Sequence, residues 1–227
     1  VEVFSGNTAD PATVAAQVTK LKSRFAIEQI AWVGDRGMIT SARIRNVLKP
    51  NGMDWISSLR APQIAQLAQE HGSFQPSLFD ERNLLELTSE HFPDERLVVC
   101  RNPLLAEERA RKRSELLAAT EAELATVAAA VTRARNPLRG AAQIALRAGR
   151  AIDHYHMAKH LALTITDSSL TWVRKTEKIA EEAALDGLYV IRTSLAADKL
   201  EANAAVAAYK SLSQVERAFR SIKTVDL

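Results

Sequence analysis

A single cysteine in 227 residues leaves no internal disulfide to be made. Cys100 ends the apolar run Leu97–Cys100, where a thiol reads as an inert buried hydrophobe in a reducing compartment. No apolar run approaches the roughly eighteen residues that cross a bilayer, and no signal peptide is visible, so a cytoplasmic chain with no membrane partner is expected. Glycine is scarce, with 8 in the chain, and none builds a phosphate-cradling loop. A GxSxG elbow and an HExxH pair are also absent, which leaves nucleotide use and acyl transfer unsupported. Neither sign of charge dominates: 30 Lys and Arg against 27 Asp and Glu give +3, which permits a nucleic-acid partner without requiring one. There is no internal repeat and no low-complexity linker.

What is present suits a globular α/β chain. The 47% hydrophobic content can supply a core, and the length allows one large or two small domains. Val1–Phe4 reads as a strand, and a helix is expected over Pro11–Phe25, with Asp10 as its cap and Val14, Val18, Leu21 and Phe25 on one face. An apolar run from Ile30 follows, then a short helix near Thr40–Leu48 and a strand over Met53–Leu59. That alternation is the rhythm of a layered α/β core. Next come a helix over Ile64–His71 and two strands, Leu84–Glu90 and Arg96–Arg101, joined by a turn with Pro93 and Asp94. Leu104 to Arg135 contains no Gly or Pro and predicts a long helix that stops before Asn136–Pro137. A second alanine-rich helix, Arg139–His160, leads to strands at Leu161–Thr166 and Leu170–Arg174, a helix near Lys178–Ala184, and a strand over Leu188–Ser194.

Two segments carry the chemistry. In YKSLSQVERAFRSIK, Tyr209, Glu216 and Lys223 stand seven residues apart. At about 100° per residue, seven-residue steps on one helix keep them in a single stripe. Leu212, Val215, Phe219 and Ile222 fall on an adjacent apolar face, with Lys210, Arg217 and Arg220 beyond the stripe. The carboxylate then sits at the seam between core and basic surface, although an amphipathic helix with solvated charges has the same pattern. In Ile30–Gly37, IAWVGDRG, a buried strand delivers Asp35 at its end and turns on Gly37. Ligand groups of open α/β sheets gather at strand ends, and aspartates also serve simply as turn residues. Trp32, mid-strand, reads as core.

Together these segments resemble the DDE transposases of bacterial insertion sequences, in the branch whose last catalytic helix carries Tyr, two residues, Arg, three residues, Glu, six residues and Lys. Tyr209, Glu216 and Lys223 match that spacing, with Leu212 in place of the arginine. VGDRG around Asp35 is similar to the family's second-aspartate strand, VEVFSGNTAD to the strand and turn before it, and DGLYVIRTSL, Asp186–Leu195, to the strand before the glutamate helix. The resemblance implies a ribonuclease-H-like mixed sheet with flanking helices, interrupted by a largely helical insertion. Residues 1–60 would be the first part of the catalytic core, 61–184 the insertion, and 185–227 the return of the core. The family's first catalytic aspartate belongs on a strand before Val1, so the chain is expected to be a fragment that is inactive alone.

The implied chemistry is metal-dependent DNA cleavage and strand transfer. Asp35 and Glu216 would be catalytic and would hold two Mg²⁺ or Mn²⁺ ions, hard cations suited to carboxylate oxygens. Tyr209, Lys223, Arg220 and Arg217 would contact DNA, at transposon ends and target, and the full-length protein would act as a homodimer in its synaptic complex. The alternative is a catalytically silent DNA-binding or assembly protein derived from such a transposase, and another ribonuclease-H-like nuclease is a further rival. Arg133, Arg135, Arg139, Arg147 and Arg150 form a basic run without acids, open to phosphate contact or to plain solvation. Arg109, Arg111, Lys112 and Arg113 lie among glutamates and read as a paired, solvated face. His154, His156 and His160 raise a zinc site, but they read instead as surface or interfacial histidines near a helix end.

Overall fold

The structure is a computed structural model that describes Ser5 and residues 10–25, 29–72 and 74–223. The strand expected at Val1–Phe4 lies outside them. The chain divides into two compact units, one built from residues up to Arg101 and from Leu188 onward, the other from Asn102–Gly187.

The first unit holds a five-stranded mixed sheet of order β1-β2-β7-β4-β3. β1 (Ala31–Val33) and β2 (Asp54–Ser58) are parallel, with Val33 opposite Ile56. β2 is antiparallel to β7 (Leu188–Thr193), β7 to β4 (Arg96–Arg101), and β4 to β3 (Leu84–Leu87). Successive side chains on a strand point to opposite faces. Trp55 accordingly joins a cluster with Val18, Ile39, Ile44, Leu48 and Met53, while its neighbour Ile56 joins Val98, Cys100, Ile191 and Val206. α1 (Asp10–Phe25) supplies Val18 to the first cluster, and α7 (Ala202–Lys210) supplies Val206 to the second. Two buried faces explain why the central strands read as nearly continuous apolar runs.

The short helix expected near Thr40 is present in three pieces. α2 (Ser41–Arg43) starts at Thr40, whose Oγ1 accepts from the Arg43 amide at 3.3 Å. A π turn, Ile44–Leu48, and a 3₁₀ turn, Lys49–Asn51, follow, ending at Gly52 with φ +60. Only glycine takes that left-handed conformation without steric cost. α3 (Ala61–Glu70) precedes β3. Here the structure differs from the expected partition at residue 61. β3 and β4 pair into the same sheet as β2 and β7, so the interrupting unit begins at Asn102. Alternating apolar character identified the two strands but carried no information on which partners they would take, because sheet pairing joins residues far apart in sequence.

The second unit contains α4 (Pro103–Thr132), α5 (Ala141–His154), the hairpin β5 (Leu161–Ile165) and β6 (Leu170–Arg174), and α6 (Thr176–Ala183). The Asn102 side chain caps α4 by accepting from the Leu105 amide at 3.1 Å, with Pro103 in the first turn. At 30 residues, α4 is about 45 Å long. Leu117, Leu124 and Val131, seven residues apart, pack against Ile144, Ala148 and Ala151 of α5 and Leu161 and Leu170 of the hairpin. α5 is shorter than expected, ending at His154 instead of His160.

Candidate functional site

β1 delivers Asp35 two residues beyond its last residue, and the Gly34 amide still donates to Ile56 O at 3.1 Å. Asp35 Oδ1 accepts from the amides of Gly37 at 2.9 Å and Met38 at 2.6 Å. This turn holds the carboxylate in place while leaving Oδ2 outside those two bonds, and the side chain is exposed. Space at Gly37 is tight: a Cβ there would stand 3.3 Å from Asp35 Oδ1, which would have to give by a few tenths of an ångström.

Because β1 and β2 are parallel, the ends of both strands lie on one edge of the sheet. Ser58, last residue of β2, has its Oγ 2.7 Å from the Tyr209 hydroxyl. The Asp35 turn and Tyr209 are thus delivered to the same end of neighbouring strands, α7 being seated on the sheet through Val206.

The single helix expected over Tyr209–Lys223 is interrupted at Ser211, which separates α7 from α8 (Leu212–Lys223). The Ser211 hydroxyl donates to Ala208 O at 2.7 Å, the kind of local serine bond that competes with helix continuation. Ser211 itself keeps right-handed helical angles, φ −62 and ψ −19. Glu216 lies in the middle of α8, exposed, with no ion pair among the described residues, as does Arg217. Arg220 is exposed on the same helix, and Lys223 closes it, its side chain outside the described residues. Val215 and Phe219 are about half exposed, so the apolar side of α8 is not buried among the described residues. No group of three metal-type ligands occurs among the described residues, and no hydrogen bond or ion pair links Asp35 to Glu216. Trp32, as expected of a core residue, packs against the Val18 cluster and donates its indole N–H to Met53 Sδ at 3.0 Å.

Sequence reasoning missed the buried centre of this unit. Arg192 on β7 makes a bidentate pair with Glu95, each side chain only 5% exposed. Glu95 also accepts from Trp55 Nε1 at 3.3 Å, while Arg192 donates to Ser41 Oγ at 3.0 Å and lies 5.0 Å from the Phe92 ring. An arginine inside the apolar run Leu188–Thr193 was the available signal, since buried charges are normally paired. Burial pushes the Cys100 thiol up to about 11, against the smaller opposing effects of Tyr189 and Lys210. Tyr189 is raised in turn, chiefly by its own burial and then by Cys100.

The three histidines of the second unit go to separate partners. His154 Nδ1 is 3.0 Å from Glu123, and exposed His156 is 3.9 Å from Asp153. His160 is buried, with Nε2 2.6 Å from Glu182 and Nδ1 3.3 Å from Met157 Sδ. His156 and His160 therefore share no helix face, because α5 has already ended.

Among known families, the one described as Transposase DDE domain matches residues 1–227. Searches of curated proteins and of solved structures found no match. A five-stranded mixed sheet with helices on both faces, interrupted between the Asp35 strand and the Glu216 helix, is the ribonuclease-H-like arrangement expected of that family. On the strength of a match that runs the length of the sequence, the chain belongs to the DDE transposase family.

Proposed function

We propose that the chain carries out metal-dependent cleavage and strand transfer of insertion-sequence DNA, with Asp35 and Glu216 as metal-holding carboxylates and Tyr209, Arg217, Arg220 and Lys223 as DNA contacts. In this reading the sheet unit is the catalytic core and residues 102–187 are the insertion. It would act in the cytoplasm, on transposon ends and target DNA, with a second copy completing the synaptic complex. The observation that carries the proposal is the delivery of Asp35 and the Ser58–Tyr209 contact to one end of two parallel strands, on the helix pair that continues into Glu216.

The residues fit a hard divalent cation by donor chemistry. Asp35 and Glu216 are exposed carboxylates, and neither makes an ion pair among the described residues. Carboxylate oxygens suit Mg²⁺ or Mn²⁺, which keep several waters. When bound, a pair of such ions activates a water or DNA 3′ hydroxyl and stabilises the leaving oxygen of an in-line displacement. Asp35 serves this by being fixed through Gly37 and Met38, so that its free oxygen is aimed without further ordering. The Tyr209 hydroxyl is a donor for a phosphate oxygen, and Arg217 and Arg220 supply positive charge beside Glu216. Neither carboxylate forms a covalent bond to DNA.

Leu212, standing where the family's last helix carries an arginine, favours the second reading, a silent DNA-binding or assembly protein. Titration with Mn²⁺, followed by electron paramagnetic resonance, separates the two. The catalytic reading expects saturable binding that Asp35→Asn and Glu216→Gln each weaken at least tenfold. Affinity indifferent to both substitutions leaves the silent reading in possession.

A further inference from the structure

From Leu124 to Ile152 the chain has five arginines and not one carboxylate, and the structure divides those arginines into two groups. Arg133 and Arg139 are spent on the turn between α4 and α5. Arg133 donates to Asn136 O, and Arg139 to the carbonyls of Val131 and Leu138. They satisfy orphan carbonyls at the helix end, a structural task. Arg135, Arg147 and Arg150 are exposed and make no hydrogen bond or ion pair among the described residues.

The contrast within the unit is sharp. Arg111 pairs with Glu115, Arg113 with Asp186 and Arg174 with Glu121 elsewhere in the unit. On α5 the buried side is Ile144, Ala148, Ala151 and Ile152. Arg147 and Arg150, three residues apart, share the opposite side with exposed Gln143 and Leu146. Asp153 is the one acid of α5, and its carboxylate is 3.9 Å from His156. Asp167, across from the start of α5, is committed to capping, accepting from the Ala141 amide at 2.8 Å.

We propose that Arg135, Arg147 and Arg150, at the turn and on the outer face of α5, form a sequence-independent landing for the phosphate backbone of duplex DNA. The inference deepens the transposase reading and rests on it for the identity of the polyanion. Three guanidiniums without internal partners are available to phosphate at no cost of breaking an ion pair, and guanidinium matches phosphate bidentately. Contacts of guanidinium to phosphate oxygens add affinity and orientation without sequence choice.

The test is fluorescence anisotropy of the whole chain with a random-sequence duplex over a salt series. Each lost phosphate contact lowers the magnitude of the log affinity against log salt slope by about 0.9, so Arg135→Gln/Arg147→Gln/Arg150→Gln should lower it by about 2 to 3. The matching lysine triple should restore most of it. Arg109→Gln/Arg111→Gln/Lys112→Gln, of equal charge change on the acid-laced part of α4, should change the slope by less than about 1. Circular dichroism identical to that of the parent chain establishes that the variants fold. An unchanged slope in the glutamine triple, an equal fall in the α4 control, tighter binding to phosphatidylserine vesicles than to duplex, or no duplex binding by the parent chain would each overturn the proposal. The Mn²⁺ response of Asp35→Asn and Glu216→Gln is a separate readout, so failure of the landing surface leaves the metal site standing, and the reverse.

Discussion

Glu95→Gln is the sharpest perturbation of the sheet unit. It keeps the side chain's shape and one acceptor oxygen for Trp55 Nε1, but strands the buried Arg192 guanidinium without its counter-charge. At an effective dielectric of about 20, two unit charges some 4 Å apart interact by about 4 kcal/mol, and measured losses on breaking buried pairs run about 3–5 kcal/mol. A loss of about 4 kcal/mol is roughly a thousandfold in the unfolding constant, large against a domain's total of about 5–15 kcal/mol. Ser41 and the Phe92 ring remain to Arg192, but neither neutralises it. The assay is equilibrium urea unfolding by tryptophan fluorescence in a Trp172→Phe background, where Trp32 and Trp55 both report on the sheet unit. The double variant Glu95→Leu/Arg192→Met should recover most of the loss, since a buried pair replaced by apolar groups of similar volume is often neutral. A loss below about 1 kcal/mol for Glu95→Gln, the behaviour of a surface pair, would refute the reasoning.

Three shorter predictions accompany it. Cys100, buried and with its thiol raised to about 11, should not react with a disulfide reagent at pH 8 until denaturant is added, and rapid native labelling would contradict its placement. Gly187 has φ +74, and a Cβ there would stand within van der Waals overlap of Asn102 O. Gly187→Ala should therefore destabilise residues 102–187 by more than the roughly 1–2 kcal/mol of left-handed strain, read as lost hydrogen-exchange protection in α4. The third concerns acid. Burial opposes ionisation of Glu182, yet hydrogen bonds from Lys159 and His160 together hold it below its usual value of 4.5, and the Arg174 bond does the same for Glu121. A depressed folded-state carboxylate contributes stability that is present above 4.5 and lost as the pH falls through its lowered value, so this unit should weaken on the acid side of pH 4.5. Glu182→Gln/Glu121→Gln should flatten that fall, and an unchanged acid limb would contradict the pairing.

Much of the fold was legible because the relevant signals are local. Asp35 after an apolar run, the uninterrupted helix-forming stretch after Pro103, and the Tyr209, Glu216 and Lys223 spacing are all read within a few turns of chain. The assignment of β3 and β4, the Arg192–Glu95 pair and the Ser58–Tyr209 contact were not legible, since each joins residues between tens and more than a hundred positions apart. Periodicity also overreached at Ser211 and at His154. One helix is interrupted at Ser211, whose hydroxyl bonds to Ala208 O, and the other stops at Tyr155 before the expected histidine pair can share a face. The Asp35 carboxylate fills the role of a turn aspartate through Oδ1, which leaves Oδ2 outside those two bonds.

The central claim is that Asp35 and Glu216 hold one cation site between them. Substituting Fe²⁺ for Mg²⁺ in the presence of duplex DNA, then adding ascorbate and peroxide, generates hydroxyl radicals at the bound ion and cuts the nearest backbone. The account predicts cleavage in both the 34–38 and the 213–219 segments of the same molecule, abolished together by either Asp35→Asn or Glu216→Gln. Cutting at one segment alone, or cuts that each respond only to the nearer substitution, would contradict it.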